Sequence, residues 1–237
     1  MDNAFIGQIT DLLGSSEAHR LIEALGDGPA VSIRINNVKC RLQPSGDSVP
    51  WCGNGFYLDE RPAFTFDPLL HAGTYYVQDA SSMFITHVLK QIAGDEAVTY
   101  LDLCAAPGGK TTAALDALTD DSLIVCNEID SQRAQILREN VVKWGRTNCV
   151  VTNDTPRRLG RLRGFFDIIA TDMPCSGEGM FRKDEEAVRQ WSPSLVAQCA
   201  ARQREIIADI WDALRPGGYL IYSTCTFNRQ ENEEIIN

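Results

Sequence analysis

Histidine is scarce in this chain: 237 residues hold only His19, His71 and His87. No histidine is therefore at hand as a general base from residue 88 onward, and proton transfers there fall to carboxylates, thiols or water. Long apolar runs are absent too. None approaches the roughly 20 residues that span a bilayer, so no membrane partner is expected. No basic segment leads into an apolar core at the start, so no signal peptide is read. The eight cysteines (40, 52, 104, 126, 149, 175, 199 and 225) contain no C-x-x-C pair, which weighs against a metal centre. Their scatter predicts a reducing cytoplasm rather than a disulfide framework. Basic charge is in deficit, with 22 Lys and Arg against 32 Asp and Glu. That speaks against a grip on nucleic acid by bulk charge. The deficit is uneven, since Arg157, Arg158, Arg161 and Arg163 crowd one segment. Solvated surface and RNA contact account for that cluster equally well.

What is present is a globular composition, 44% hydrophobic, sufficient for one large domain with or without a small one. Residues 1–29 read as two short amphipathic helices, with Ala18, Leu21, Ile22 and Leu25 as a buried stripe. Val31, Ile33 and Ile35 alternate with Ser32 and Arg34, which predicts a half-buried strand. Residues 44–73 are rich in Pro, Gly and aromatics. Residues 80–93 read as a helix with Met83, Phe84 and Val88 inward. From Val98 the pattern becomes strand-helix alternation, with strands expected over 98–103, 123–126, 149–152, 166–170 and 219–222. Helices are expected over 110–118, 131–143 and 195–214. This is the signature of an α/β, doubly wound parallel sheet. The expected organisation is a small N-terminal α+β domain over 1–78 and the sheet domain over 79–237. Residues 230–237 read as the start of another helix, so the C-terminal part is expected to be truncated.

In such sheets ligands bind outside the carboxyl ends of the strands. Each expected strand here ends near a ligand-holding residue: the loop Cys104-Ala105-Ala106-Pro107-Gly108-Gly109-Lys110, then Glu128, Asp154, Asp172 with Cys175, and Cys225. The loop resembles the end of a phosphate-binding P-loop, but Cys104 stands where that pattern needs glycine, and Pro107 removes a backbone donor. G-x-G-x-x-G is absent as well. A tight loop opening a helix favours a carboxylate, and an acid after the second strand suits a ribose diol. S-adenosylmethionine carries a carboxylate, a ribose and an adenine and fits this set, with Glu128 on the ribose and Asp154 on the adenine.

Several motifs resemble those of the Nol1/Nop2/Sun family of RNA 5-methylcytosine methyltransferases. They are Asp102 to Thr112, the turn Asp172-Met173-Pro174-Cys175-Ser176-Gly177, and Tyr222-Ser223-Thr224-Cys225-Thr226. Asn127 to Asp130 with Arg133, Asn232-Glu233, Ser32 to Asn36 and Tyr76 to Ser82 match as well. Gly177 to Asp184 is similar to the bacterial branch that acts on 16S ribosomal RNA. The resemblance implies a Rossmann-like fold with S-adenosylmethionine as cofactor. It implies 16S rRNA or the 30S subunit as partner, and an N-terminal part that contacts RNA. Cofactor residues would be Cys104 to Lys110, Glu128, Arg133, Asp154 and Asp172, with Cys104 mainly packing.

Carbon 5 of cytosine is a poor nucleophile, and a thiolate added at carbon 6 makes it enamine-like. The residues alone leave open which cysteine attacks. The resemblance implies Cys225 as nucleophile, Cys175 as the group that releases the product, and Asp172 as partner of the cytosine ring. Lys110 or a helix N-terminus would lower the thiol pKa. Trp51, Phe56 and Tyr57 could stack on bases, although packing explains them better. Two other readings compete. One is a DNA cytosine methyltransferase attacking through Pro174-Cys175, which leaves Thr224-Cys225 unexplained. The other is a cofactor-binding module without turnover.

Overall fold

Apolar residues at helical spacing give two helices at the start of the chain. α1 (Asn3–Leu13) buries Phe5 and Ile9, and α2 (Ser15–Gly26) buries Ala18 and Leu25. Asp2 accepts from Ala4 N and caps α1, a contact typically worth about 1 kcal/mol. The computed structural model describes residues 1–40 and 44–237.

A small antiparallel sheet follows, built from β1 (Val31–Ile35), β2 (Gly55–Leu58) and β3 (Tyr75–Val77) in the order β2-β1-β3, with α3 (Pro68–His71) between the last two. β1 departs from the half-buried strand that its alternation predicts. Ser32 and Arg34 are buried along with Ile33 and Ile35, because polar partners cover the second face of this central strand. Ser32 Oγ donates to Gln78 O at 2.6 Å, and Arg34 Nε to Gln78 Oε1 at 2.9 Å. A 3₁₀ turn over Ser81–Met83 leads into α4 (Phe84–Ala93). Met83 is buried as expected, but Phe84 is 48% exposed. The turn shifts the phase of the helix, so Ile85, Leu89 and Ala93 form the inward stripe instead.

The alternating region folds as β4 (Thr99–Asp102), α5 (Gly109–Ala117), β5 (Leu123–Asn127), α6 (Ser131–Trp144), β6 (Cys149–Thr152), α7 (Pro156–Leu159) and β7 (Phe166–Asp172). Then come α8 (Glu185–Gln190), α9 (Pro193–Ile210), β8 (Leu214–Ser223) and α10 (Glu233–Ile236). The sheet order is β6-β5-β4-β7-β8. β4 pairs in parallel with β5 and β7, and β5 with β6. Strand order therefore reverses at β4, the topological switch point that opens a crevice at the carboxyl ends. Tyr100, Leu101, Ile124, Ile168 and Ile169 are almost wholly buried, as strands covered on both faces must be.

The chain divides into two compact units. One holds Met1–Pro29, Asp172–Trp211 and Tyr222–Asn237; the other holds Ala30–Thr171 and Asp212–Ile221. Residues 30–78 group with the strands β4 to β6, while α1 and α2 group with the segments carrying Cys175 and Cys225. The reason is hydrophobic. Phe5, Ile9, Ala18 and Leu25 share a core with Phe181, Trp191 and Val196, and the Phe5 ring meets Phe181 and Trp191 edge-on at 5.0 and 5.5 Å.

Candidate active site

The larger unit carries the loop between β4 and α5. Gly108 sits at φ +111° as the residue before α5, and no side chain caps this helix. A Cβ there would lie 3.2 Å from Leu137 Cδ1, so the left-handed backbone and the close approach both call for glycine. Gly109 and Lys110 open α5 behind it, which leaves backbone N–H groups at a helix N-terminus. Side chains from α6 brace the loop: Arg133 donates to Ala106 O at 2.9 Å and Asn140 to Pro107 O at 2.8 Å. Below it, the buried Asp102 accepts from Thr111 Oγ1 at 2.6 Å. Ala105 and Ala106 are buried, and Cys104 Sγ accepts from Thr171 Oγ1 at 3.7 Å, in keeping with a packing role for Cys104.

Glu128 follows β5 with only 3% of its surface exposed. It accepts from Asp130 N at 3.1 Å and lies 3.6 Å from Arg133 Nη1. Asp154 follows β6, half-buried, 3.3 Å from Arg158 Nη1. Asn127 ties the ends of these strands together. Its Nδ2 donates to Leu103 O and Asp154 O at 3.2 and 3.0 Å, and its Oδ1 accepts from Thr152 Oγ1 and Asp154 N at 2.9 and 3.0 Å. Sequence pattern alone assigns no role to Asn127; its position as an amide ending the otherwise apolar strand β5 is the local sign of one.

The other unit carries the two thiol turns. Cys175 follows β7 and Cys225 follows β8, and their sulfurs are 3.2 Å apart. Cys225 is exposed and Cys175 is half-buried. Met173 N donates to Ser223 O at 2.8 Å, Gly179 N to Cys225 O at 2.7 Å, and Cys225 N to Cys175 Sγ at 3.4 Å. Gly179 is required by space, since a Cβ there would lie 2.9 Å from Cys225 O. The hydrogen bond to Cys225, then burial and the nearby Cys225 charge, push the Cys175 thiol far above the ordinary thiol range. Asp172 ends β7 and accepts from Ser223 Oγ at 3.1 Å.

Several other aromatic and histidine side chains have structural partners. Trp51 donates to Ala80 O at 2.7 Å and Phe56 belongs to the core of the small sheet. His19 pairs with Glu23, His71 with Thr65 O and His87 with Gln91. Among the described residues no helix is long and apolar enough to cross a membrane.

The sheet order and loop placement are those of a methyltransferase fold. A methyltransferase homolog protein from Pyrococcus horikoshii superposes with a TM-score of 0.80 at 28% identity, over 100% of this chain and 77% of that one. NSun6 from Pyrococcus horikoshii superposes at 0.82 with 19% identity, over 99% and 86%. Residues 88–237 match the family model described as 16S rRNA methyltransferase RsmB/F, and residues 1–80 match that of the N-terminal domain of 16S rRNA methyltransferase RsmF. The chain belongs to the RsmB/F family. Ribosomal RNA small subunit methyltransferase F of Pectobacterium carotovorum subsp. carotovorum (strain PC1) is 40% identical, over 87% of this chain and 46% of the relative. The protein of the same name from Salmonella heidelberg (strain SL476) is 37% identical, over 98% and 52%. The chain thus spans about half the length of the curated relatives it matches.

Proposed function

We propose that this protein transfers a methyl group from S-adenosylmethionine to carbon 5 of a cytosine in 16S ribosomal RNA, through a covalent bond between Cys225 and carbon 6. The observation that carries the reading is the 3.2 Å separation of the Cys175 and Cys225 sulfurs at the ends of neighbouring strands. Two thiols so close divide the work of a covalent mechanism, one bonding to the base and one handling a proton.

The donor set fits the cofactor. The uncapped N-terminus of α5 suits its carboxylate. Glu128, buried beside Arg133, suits the ribose diol, and Asp154 suits the adenine amino group. Cys104 to Gly109 form the loop around it, with Lys110 as a further contact. The bound cofactor supplies an electrophilic sulfonium methyl. Glu128→Gln is expected to weaken its binding about 10- to 100-fold, the range for a lost charge-assisted hydrogen bond. Equilibrium dialysis checks this, and unchanged affinity would remove Glu128 from the ribose.

Cys225 is the more exposed thiol and is the nucleophile in this reading. Its sulfur bonds carbon 6, and Asp172 holds a proton at cytosine N3. Carbon 5 becomes nucleophilic and takes the methyl. Cys175 then removes the carbon 5 proton, the sulfur–carbon 6 bond breaks and N3 returns its proton. The leading cause of the raised Cys175 value is the hydrogen bond to Cys225. Bonding the Cys225 sulfur to carbon removes the Cys225 charge while burial remains, so Cys175 acts as a base only after giving its own proton to water. Cys175→Ala is accordingly expected to accumulate a protein–RNA adduct, visible as a retarded band on a denaturing gel. Normal turnover without such a band would make Cys175 structural.

The reading implies a cytoplasmic protein whose partner is 16S rRNA or the 30S subunit, with residues 1–78 contributing RNA contacts. The test is tritium transfer from labelled cofactor to naked 16S rRNA and to 30S subunits, with the label mapped to carbon 5 of cytosine. Label at any other atom, or none on either substrate, overturns it.

A further inference from the structure

The mechanism above leaves two carboxylates unused beneath the thiol turns. Glu178 and Glu231 are fully buried, a position acidic side chains almost never occupy without partners. Glu178 Oε1 accepts from Gln8 Nε2 at 2.8 Å, and from Trp191 Nε1 and Asn228 Nδ2 at 3.1 Å each; its Oε2 accepts from Phe227 N at 2.7 Å. Glu231 Oε1 accepts from Ser176 N at 2.9 Å and Gln203 Nε2 at 3.1 Å, and its Oε2 from Ser176 Oγ at 2.5 Å and Asn228 Nδ2 at 2.7 Å. Each carboxylate thus accepts from four donors, two on each oxygen of Glu231, three on Oε1 and one on Oε2 of Glu178.

The arrangement is crossed. Glu178 belongs to the segment after Cys175, yet it holds Phe227 N, in the segment after Cys225. Glu231 belongs to the segment after Cys225, yet it holds both donors of Ser176, the neighbour of Cys175. Asn228 Nδ2 reaches both carboxylates, so neither turn can move without breaking a bond to the other. Hydrophobic residues of the same size would stabilise this interior as well or better. What they would lack is a directional hold on the backbone beside each sulfur.

We propose that Glu178 and Glu231 are positioning residues that clasp the two thiol turns together and set the Cys175–Cys225 separation. The proposal rests on the cytosine reaction above for its effect on turnover, but not for its effect on the sulfurs. Neither carboxylate touches the reacting atoms in this reading; both act through the turns.

The test uses Glu231→Gln and Glu178→Gln in the intact protein. Each keeps the size of the side chain but replaces an acceptor oxygen by an NH₂ group facing other donors. Three quantities are read: the melting temperature, kcat and KM for methyl transfer, and the rate at which diamide closes a Cys175–Cys225 disulfide. In that closure two thiols lose two protons and two electrons, and the azo bond of diamide is reduced to a hydrazine. A displacement of about 1 Å is expected to lower kcat by about 100-fold with KM little changed, and to slow closure in parallel. A merely structural role would lower the melting temperature and leave kcat and closure alone, and that result in folded variants overturns the clasp. Should neither variant fold, Ser176→Ala decides, since it removes only the hydroxyl contacts to Glu231 and Thr226. Slower closure with lower kcat supports the clasp; no change in either refutes it. If the parent protein transfers no methyl group to RNA, the reaction is wrong, and the closure rate alone still decides the clasp.

Discussion

Cys225→Ala is expected to reduce methyl transfer to 16S rRNA to background, a loss on the order of 10⁴-fold or more, the scale for removing a covalent nucleophile. Affinity for S-adenosylmethionine should stay unchanged. The residues argued to hold the cofactor, from the loop before α5 to Glu128 and Asp154, are tied to one another and belong to the larger unit. Cys225 belongs to the smaller one. Tritium transfer measures the first quantity and equilibrium dialysis the second. In this reading Cys175 handles a proton and does not bond carbon 6, so the single variant should leave no residual adduct. Activity retained in Cys225→Ala but lost in Cys175→Ala would exchange the two roles and point to the chemistry of a Pro-Cys nucleophile.

The second large effect concerns the fold beneath the cofactor loop. Arg34 is completely buried; it pairs with Asp116, donates to Gln78 Oε1 and Thr112 Oγ1 at 2.9 and 2.6 Å, and lies 4.5 Å over the Trp144 ring. Burial pushes its pKa down, and the Asp116 charge works against that shift. Among the described residues, Arg34→Leu would leave Asp116 with Asn54 Nδ2 and Trp144 Nε1, at 3.1 and 3.0 Å. Breaking a buried pair from one side costs about 3–5 kcal/mol, which for a chain of this size lowers the melting temperature by roughly 10 °C. Arg34→Lys keeps the charge but loses the planar fork that serves three partners, so an intermediate loss is expected. Thermal denaturation with and without cofactor checks both. A shift under about 2 °C for Arg34→Leu would mean that the site repacks without cost.

Arg34 also marks where sequence reading falls short. Alternation along Val31 to Ile35 predicts Ser32 and Arg34 facing water, because a period of two says only that successive side chains point to opposite faces. Whether the second face is wet depends on what covers it, and here the cover comes from Gln78, Thr112 and Asp116. Phe84 fails for a related reason: one 3₁₀ turn rotates a helix by enough to change which residue leads the buried stripe. Glu178 lies in the stretch Gly177 to Asp184, whose pattern assigns it no role. An acid between Gly177 and Gly179, ahead of Met180 and Phe181, was the only local sign of its burial.

The sequence by itself determined what short-range pattern can carry. It set the strand-helix alternation, the acids and glycines placed at strand ends, and the two turns that deliver cysteines. Each of those rests on neighbours a few residues apart, where backbone preference and hydrophobic period act directly. Tertiary structure alone decided the 3.2 Å sulfur separation across 50 residues of chain and the Gln8–Glu178 contact across 170. It also joined α1 and α2 to the thiol-bearing segments rather than to the small sheet. Those outcomes depend on which buried polar groups find partners and which apolar faces meet. No local pattern encodes them, because the partners are brought together only when the chain closes its cores.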